Sequence, residues 1–268
     1  MLLSCSAELP PHEDHLVVEG WICTGEPPMV HLTTSFYPGA KEQDRDELEK
    51  HIIRRARVSI SDGENEVLLT GMPKKGYMPP YVYTTSHLLG EEGKTYTLKV
   101  DTDKYHAHAS SRVPAAPALK ELKAEPFGTA DTTWLLRARF RDNPEQKNYY
   151  KFFTRVKDVD STFFSARMSL IDDSMLSPDE DTEVRIVPGA GIFDSWDYRP
   201  CFYSGETVYL RFCSLEEDIA AVWRAYDSGA LHCAVPLMTS VGNVPGNVEG
   251  ALGYFAAYGC SLYTLPLP

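Results

Sequence analysis

The chain has 268 residues, 38 acidic against 26 basic side chains and a formal charge of −12. With 43% hydrophobic and 24% charged residues it is a globular sequence, long enough for about two domains. The acid excess argues against a nucleic-acid partner, since phosphate contacts require a basic face. No apolar run approaches the ~20 residues of a membrane-spanning helix. The charge is spread evenly, net −5 over residues 1–115 and −7 over residues 116–268, which suits solubility more than a charged tail.

The first element is an address. Leu2-Leu-Ser-Cys5 matches the cleavage box of bacterial lipoproteins, in which the cysteine is diacylated and becomes the first mature residue. Residues 1–4 are too few for a signal peptide, so the expectation is a longer precursor. The polar, proline-containing stretch up to residue 15 then serves as a tether leaving a membrane surface. Six cysteines are present, none in a C-x-x-C pair, which disfavours zinc ribbons and thioredoxin-type motifs.

From residue 16 the pattern is one of short strands. Leu16-Val-Val-Glu-Gly-Trp-Ile22 and residues 30–34 open the series, and Val58 and Ile60 alternate with polar neighbours. Asp62-Gly63 turns the chain into a strand over 66–70, a hairpin signal. Strands over 96–100 and 105–109 follow, so residues 16–112 are expected to form an immunoglobulin-like β-sandwich. Residues 41–55, acidic early and basic late, suggest a short surface helix.

The segment Val113-Pro-Ala-Ala-Pro-Ala118 marks the domain boundary. Residues 119–268 are expected to form a second β-rich domain, a sandwich or a barrel, with strands over 133–140, 149–156, 162–168, 183–187, 206–212 and 250–263. One helix is expected over 215–228. Ser214 and Glu217 provide a capping box, Leu215, Ile219, Val222, Trp223 and Tyr226 an apolar face, and Gly229 the stop.

Several phrases occur together in one order: Leu16-Val-Val-Glu-Gly-Trp-Ile22, Val58-Ser-Ile-Ser-Asp-Gly63, Gly93-Lys-Thr-Tyr-Thr-Leu-Lys-Val100, Asn148-Tyr-Tyr-Lys-Phe-Phe153, Ile171-Asp-Asp173, Val222-Trp-Arg-Ala-Tyr226 and Asn247-Val-Glu-Gly-Ala-Leu-Gly-Tyr-Phe255. In these the chain resembles the Bacteroidetes lipoprotein family called domain of unknown function 4249. The resemblance implies an outer-membrane lipoprotein, often encoded near a TonB-dependent receptor, with no established catalytic residues. It also strengthens Cys5 as the lipidation site.

Catalytic and metal motifs are weak. Gly93-Lys94-Thr95 lacks the first glycine of a phosphate loop, Leu88 standing there, and His12-Glu-Asp-His15 is one residue short of the zincin spacing. His106 and His108 share a strand face without an identifiable third ligand, and the acidic stretch Asp172-Asp173 with residues 179–183 reads as a solvated loop. More informative is residues 193–203, a long segment offering Trp196, Tyr198, Arg199, Phe202 and Tyr203. Those residue types dominate binding hot spots and can stack on sugar rings. Residues 77–83 form a second aromatic loop, whereas Trp21, Trp134 and Trp223 fall within regular patterns and are assigned to the core. The expectation is therefore a non-enzymatic, cofactor-free lipoprotein of the outer membrane. It would serve as a binding or accessory component of a TonB-dependent uptake system. The alternatives are a surface hydrolase whose carboxylates assemble only in the fold, and a structural or adhesin subunit.

Overall fold

The computed structural model describes residues 14–35, 49–129, 131–177, 179–189, 199–234 and 244–268. The chain is mostly β, of the β-sandwich type, with one long helix among the described residues. Cys5, most of the expected helix at 41–55, and Trp196 and Tyr198 lie outside the described residues.

The frame is a nine-stranded sheet whose order is β12-β11-β16-β17-β1-β2-β6-β5, with β13 also paired to β11. Its strands from the amino-terminal part are β1 (Leu16–Cys23), β2 (Met29–Thr34), β5 (Thr70–Pro73) and β6 (Tyr81–Thr84). The carboxyl-terminal part supplies β11 (Tyr149–Val156), β12 (Phe164–Ser165), β13 (Ile171–Asp172), β16 (Thr207–Leu215) and β17 (Leu252–Pro266). The fifteen-residue β17 joins the two groups. Its first half runs parallel to β1, Val17 opposite Leu252 through Cys23 opposite Tyr258. Its second half runs antiparallel to β16, Ser214 opposite Gly259 through Thr207 opposite Pro266.

Two four-stranded sheets pack on one face of this frame. One contains β3 (Arg57–Ser61), β4 (Glu66–Leu68), β7 (Thr95–Asp101) and β8 (His106–Arg112). The other contains β9 (Leu119–Pro126), β10 (Thr133–Phe140), β14 (Thr182–Ile186) and β15 (Phe202–Tyr203). The period of two decides what each covers. Val18, Ile22, Val30 and Phe255 meet Ile60, Tyr96 and Leu98 in the first core. Phe152, Leu210 and Phe212 meet Leu136, Phe140 and Phe202 in the second. There the rings of Phe152 and Phe212 stack at 4.4 Å and Phe140 tilts onto Phe212 at 4.9 Å.

Residues on the other face of β17, β16 and β1 form a third cluster. Ala256, Tyr258, Cys213 and Cys23 pack beneath Ile219 and Ala220 of the helix Glu217–Ala234. The expected helix at 215–228 is thus shifted. Ser214 and Leu215 finish β16, because their register with β17 and β11 buries Leu215 and pairs the Ser214 backbone. The Ser214 hydroxyl donates to the Ala115 carbonyl at 2.5 Å, tying β16 to the connector. The first intrahelical bond runs from the Ala220 amide to the Glu216 carbonyl, and the helix continues through Gly229 to Ala234. The connector 113–118 crosses the joint itself. A Cβ on Gly259 would fall 2.1 Å from the Pro114 carbonyl oxygen, so glycine lets the connector lie flat where β17 changes partner.

Elsewhere the expected strands carry regular structure, with adjustments at their ends. The 162–168 strand shrinks to β12, and the 66–70 strand splits, β4 pairing with β3 and β5 crossing to β6 in the large sheet. The second aromatic loop is partly strand, since residues 81–83 belong to β6.

Gly253 tests the β1–β17 pairing. It holds φ +102°, and a Cβ there would lie 1.9 Å from the Val18 carbonyl oxygen. Gly205 holds φ +80° with open space around it. Gly205→Ala should therefore cost about 1 kcal/mol from the backbone alone, and Gly253→Ala at least about 3 kcal/mol, by urea denaturation.

Candidate functional site

Among the described residues, the face of the large sheet that carries the helix is only partly covered. Beside the helix it opens into a cleft of about 1080 Å³, just above the usual span of small-molecule sites. The floor consists of outward-facing residues of four strands. Glu19, Trp21 and Cys23 come from β1, His31 from β2, Tyr254 and Tyr258 from β17, and Arg211 from β16. One wall is the helix, through Val222, Trp223 and Tyr226, and the others are loops around 74–80 and 159–165.

Aromatic rings line both ends. At the helix end Phe153 meets Trp223 at 5.5 Å and Tyr258 at 5.7 Å, and Trp223 meets Tyr226 at 5.4 Å, all edge to face. The Trp223 indole N–H donates to the Tyr258 hydroxyl at 2.9 Å, which fixes the ring while leaving its faces unpaired by hydrogen bonds. At the other end Trp21 stacks with Tyr77 at 6.3 Å and tilts against His31 at 5.6 Å. Burial holds the His31 imidazole below its ordinary pKa, although Glu19 opposes the shift. Its Nδ1 lies 2.9 Å from the Tyr81 carbonyl, so Nδ1 carries the proton and donates.

Charged groups lie among these rings. The Arg211 guanidinium reaches Glu26 at 2.5 Å and lies 4.1 Å from the centroid of Phe163. Tyr254 donates to Glu19 at 3.0 Å, and burial pushes the pKa of that phenol well up. Lys74 sits over Tyr77 at 5.1 Å. Beneath Trp223, Lys151 is fully buried, its ammonium 3.0 Å from Asp227 and 4.8 Å from the indole centroid. Burial lowers its pKa, and Asp227 opposes that. The pair ties β11 to the helix and so sets the angle of the Trp223 wall.

The residues expected from sequence fall in different places. Arg199 lines the cleft, pairs with Glu206 and lies 5.1 Å over Tyr203. Tyr203 is exposed on β15, while Phe202, its neighbour, is fully buried in the second core. His106 pairs with Asp101 at 2.8 Å and His108 with Glu249 at 3.2 Å on an exposed face. The acidic 172–181 stretch is matched by bases: Asp172 accepts from Lys147 and Arg224, Asp181 from Lys120 and Arg141. The Ser174 hydroxyl and amide, then Lys147, hold the Asp172 carboxyl down at about 2. Among the described residues no group of three or more His, Cys, Asp or Glu side chains is arranged to hold a metal ion.

Trp21 and Trp223, assigned to the core from their patterns, do pack against the third cluster, but they are only half-buried and also line the cleft. Their periodicity places them on a covered face but says nothing of how far the cover extends. The signal for the site was present in two spacings, Tyr254 with Tyr258 at alternating strand positions and Trp223 with Tyr226 three apart on a helix.

The Lys151–Asp227 pair generates a stability prediction. Asp227→Ala strands a buried ammonium and should cost about 3–5 kcal/mol, most of it recovered when Lys151→Met is added. Chemical denaturation of the single and double variants measures both.

The profile described as Domain of unknown function (DUF4249) matches residues 4–261, nearly the whole chain, so the chain belongs to that family. No curated protein matches the sequence.

Proposed function

From that family membership and the cleft beside the helix, we propose that this chain is a lipid-anchored protein of the outer membrane that binds an organic ligand. In this reading it serves a TonB-dependent uptake system as a binding or accessory component. The single observation that carries the binding role is the cleft of about 1080 Å³, lined by the Trp21 and Trp223 indoles together with Arg211, Glu19 and Lys74. Flat apolar faces contribute binding energy, and a few polar groups set orientation. The chemistry fits an amphipathic ligand with a planar or ring-shaped apolar face, such as an oligosaccharide or an aromatic compound. The two carboxylates nearest the floor are engaged, Glu26 by Arg211 and Glu19 by Tyr254, which favours binding over carboxylate hydrolysis.

The anchor rests on Leu2-Leu-Ser-Cys5 and on the family resemblance. Among the described residues no helix is long and apolar enough to cross a membrane. Two or three acyl chains at Cys5 would hold a 30.0 kDa body at a bilayer, each buried methylene contributing about 0.8 kcal/mol.

Two measurements test the proposal. Titration with a panel of oligosaccharides and aromatic compounds should change the tryptophan fluorescence, and Trp21→Ala and Trp223→Ala should each weaken binding roughly 10–30-fold with the melting transition retained. A panel without any response, or binding indifferent to both substitutions, counts against the cleft. In cells expressing the gene with its native upstream region, labelled palmitate should enter the protein and vanish with Cys5→Ala. Label that persists in that variant, or never enters, removes the lipoprotein reading.

A further inference from the structure

Three of the six cysteines meet under the helix beside the cleft, which Cys23 lines. Cys23, Cys260 and Cys213 sit on β1, β17 and β16, which are adjacent strands, and all three face the helix side of the sheet. The register brings them together. Cys213 stands directly opposite Cys260, and Cys23 stands opposite Tyr258, two residues before Cys260. The Cys213 and Cys260 sulfurs are 2.8 Å apart, and the Cys260 thiol also lies 3.7 Å from the Tyr258 carbonyl oxygen.

The backbone of the 213–260 pair suits a covalent bond. The Cys260 amide donates to the Thr24 hydroxyl on the β1 side at 3.3 Å, so its peptide groups point away from β16. Cys213 and Cys260 are therefore a non-hydrogen-bonded pair of an antiparallel ladder. Such pairs bring their Cα atoms to about 4.5 Å, within the 4.4–6.8 Å that disulfides span. Closure needs no movement of either strand.

Access and charge are arranged around the same atoms. Cys213 is fully buried, whereas Cys260 is partly exposed and Cys23 lines the cleft. Burial raises the pKa of the Cys260 thiol, and the hydrogen bonding of the other thiols also bears on it. The Arg211 guanidinium, 3.5 Å from the Cys23 sulfur, supplies the nearby positive charge that favours a thiolate.

We propose that Cys213 and Cys260 are a redox pair that closes to a cross-strand disulfide by exchange with a small disulfide oxidant. The Cys260 thiolate attacks one sulfur of the oxidant, forming a mixed disulfide and releasing the first thiolate, which takes up a proton. Cys213 then gives up its proton and attacks the Cys260 sulfur, expelling the second thiolate, which leaves as thiol. Two cysteine thiols and one oxidant disulfide thus become one cystine and two small thiols. The bond staples β16 to β17 at the point where β17 takes over from β1. It is defined by strand register and holds whatever the cleft binds.

The test uses the full chain, fully reduced and then equilibrated with oxidised glutathione. Thiol counting after denaturation should show two thiols fewer than in the reduced chain, without a stable glutathione adduct at Cys213 or Cys260. Digestion with trypsin and chymotrypsin should yield a fragment linking Cys213 to Cys260, and the melting temperature should rise by several degrees. Cys201→Ser should leave the link unchanged, whereas Cys213→Ser should abolish it. Because Cys213→Ser alters a buried site, the decisive reading is the link in the unmodified chain. A link of Cys23 to Cys260, or one formed only when oxidation is carried out in denaturant, overturns the assignment. So does retention of every thiol of the reduced chain at an oxidant level that closes ordinary structural disulfides.

Discussion

Everything in this protein hangs on the double pairing of one strand. β17 gives its first half to β1 in a parallel ladder and its second half to β16 in an antiparallel one. A parallel partner from the opposite end of the chain is a costly contact to find, because most of the sequence must be ordered before it forms. Once made, it merges strands from residues 16–84 and 149–266 into a single sheet. The alternation of side chains along β17 then assigns work to each face. Phe255 and Ala257 enter the first core and Leu265 and Leu267 meet the second, while Tyr254, Ala256 and Tyr258 turn to the helix. Glycine at 253 and 259 permits the close approaches that this sharing requires.

The cleft follows from the same arrangement by subtraction. Two small sheets cover one face of the frame, whereas among the described residues the other has a single helix to cover it. Strand residues beyond the helix's reach are left partly open, and these include large rings that a closed core would have buried. The helix itself is held by a buried Lys151–Asp227 pair under Trp223. A buried ion pair is an expensive way to attach a helix, as its desolvation offsets much of the attraction. It does, however, favour helix positions that keep the carboxylate beside the ammonium, since separating them would leave a buried charge unpaired. The wall of the cleft is thereby set by electrostatics and its floor by strand register.

The thiol cluster and the aromatic cleft occupy adjacent parts of this floor, and both come from residues far apart in sequence. Cys23 and Cys260 are separated by nearly the whole chain, as are Trp21 and Tyr258. A protein exposed to an oxidising envelope would gain most from a staple at the joint of its central strand. That is where the pairing of Cys213 with Cys260 lies. The family to which the chain belongs carries no assigned chemistry, so the site stands on its own geometry.

Local pattern went far in describing the elements. Alternation at Val58 and Ile60, or at Tyr96, Leu98 and Val100, identified strands because burial on one sheet face imposes a period of two. The mostly β class, the helix near residue 220 and the irregular connector at 113–118 followed from the same kind of reasoning. The helix start was misplaced because Ser214 and Glu217 satisfy a capping pattern locally, yet pairing with Gly259 binds Ser214 into β16. Phe202 and Trp223 show the limit for function. Both are aromatic residues beside apolar neighbours, and one is sealed in a core while the other borders open space. Sequence by itself determined which residues seek cover, since hydrophobicity and periodicity are properties of the local chain. Only the tertiary structure decided where the cover ends and which distant residues share a floor, since both depend on the partners of β17, set by packing between the two ends of the chain.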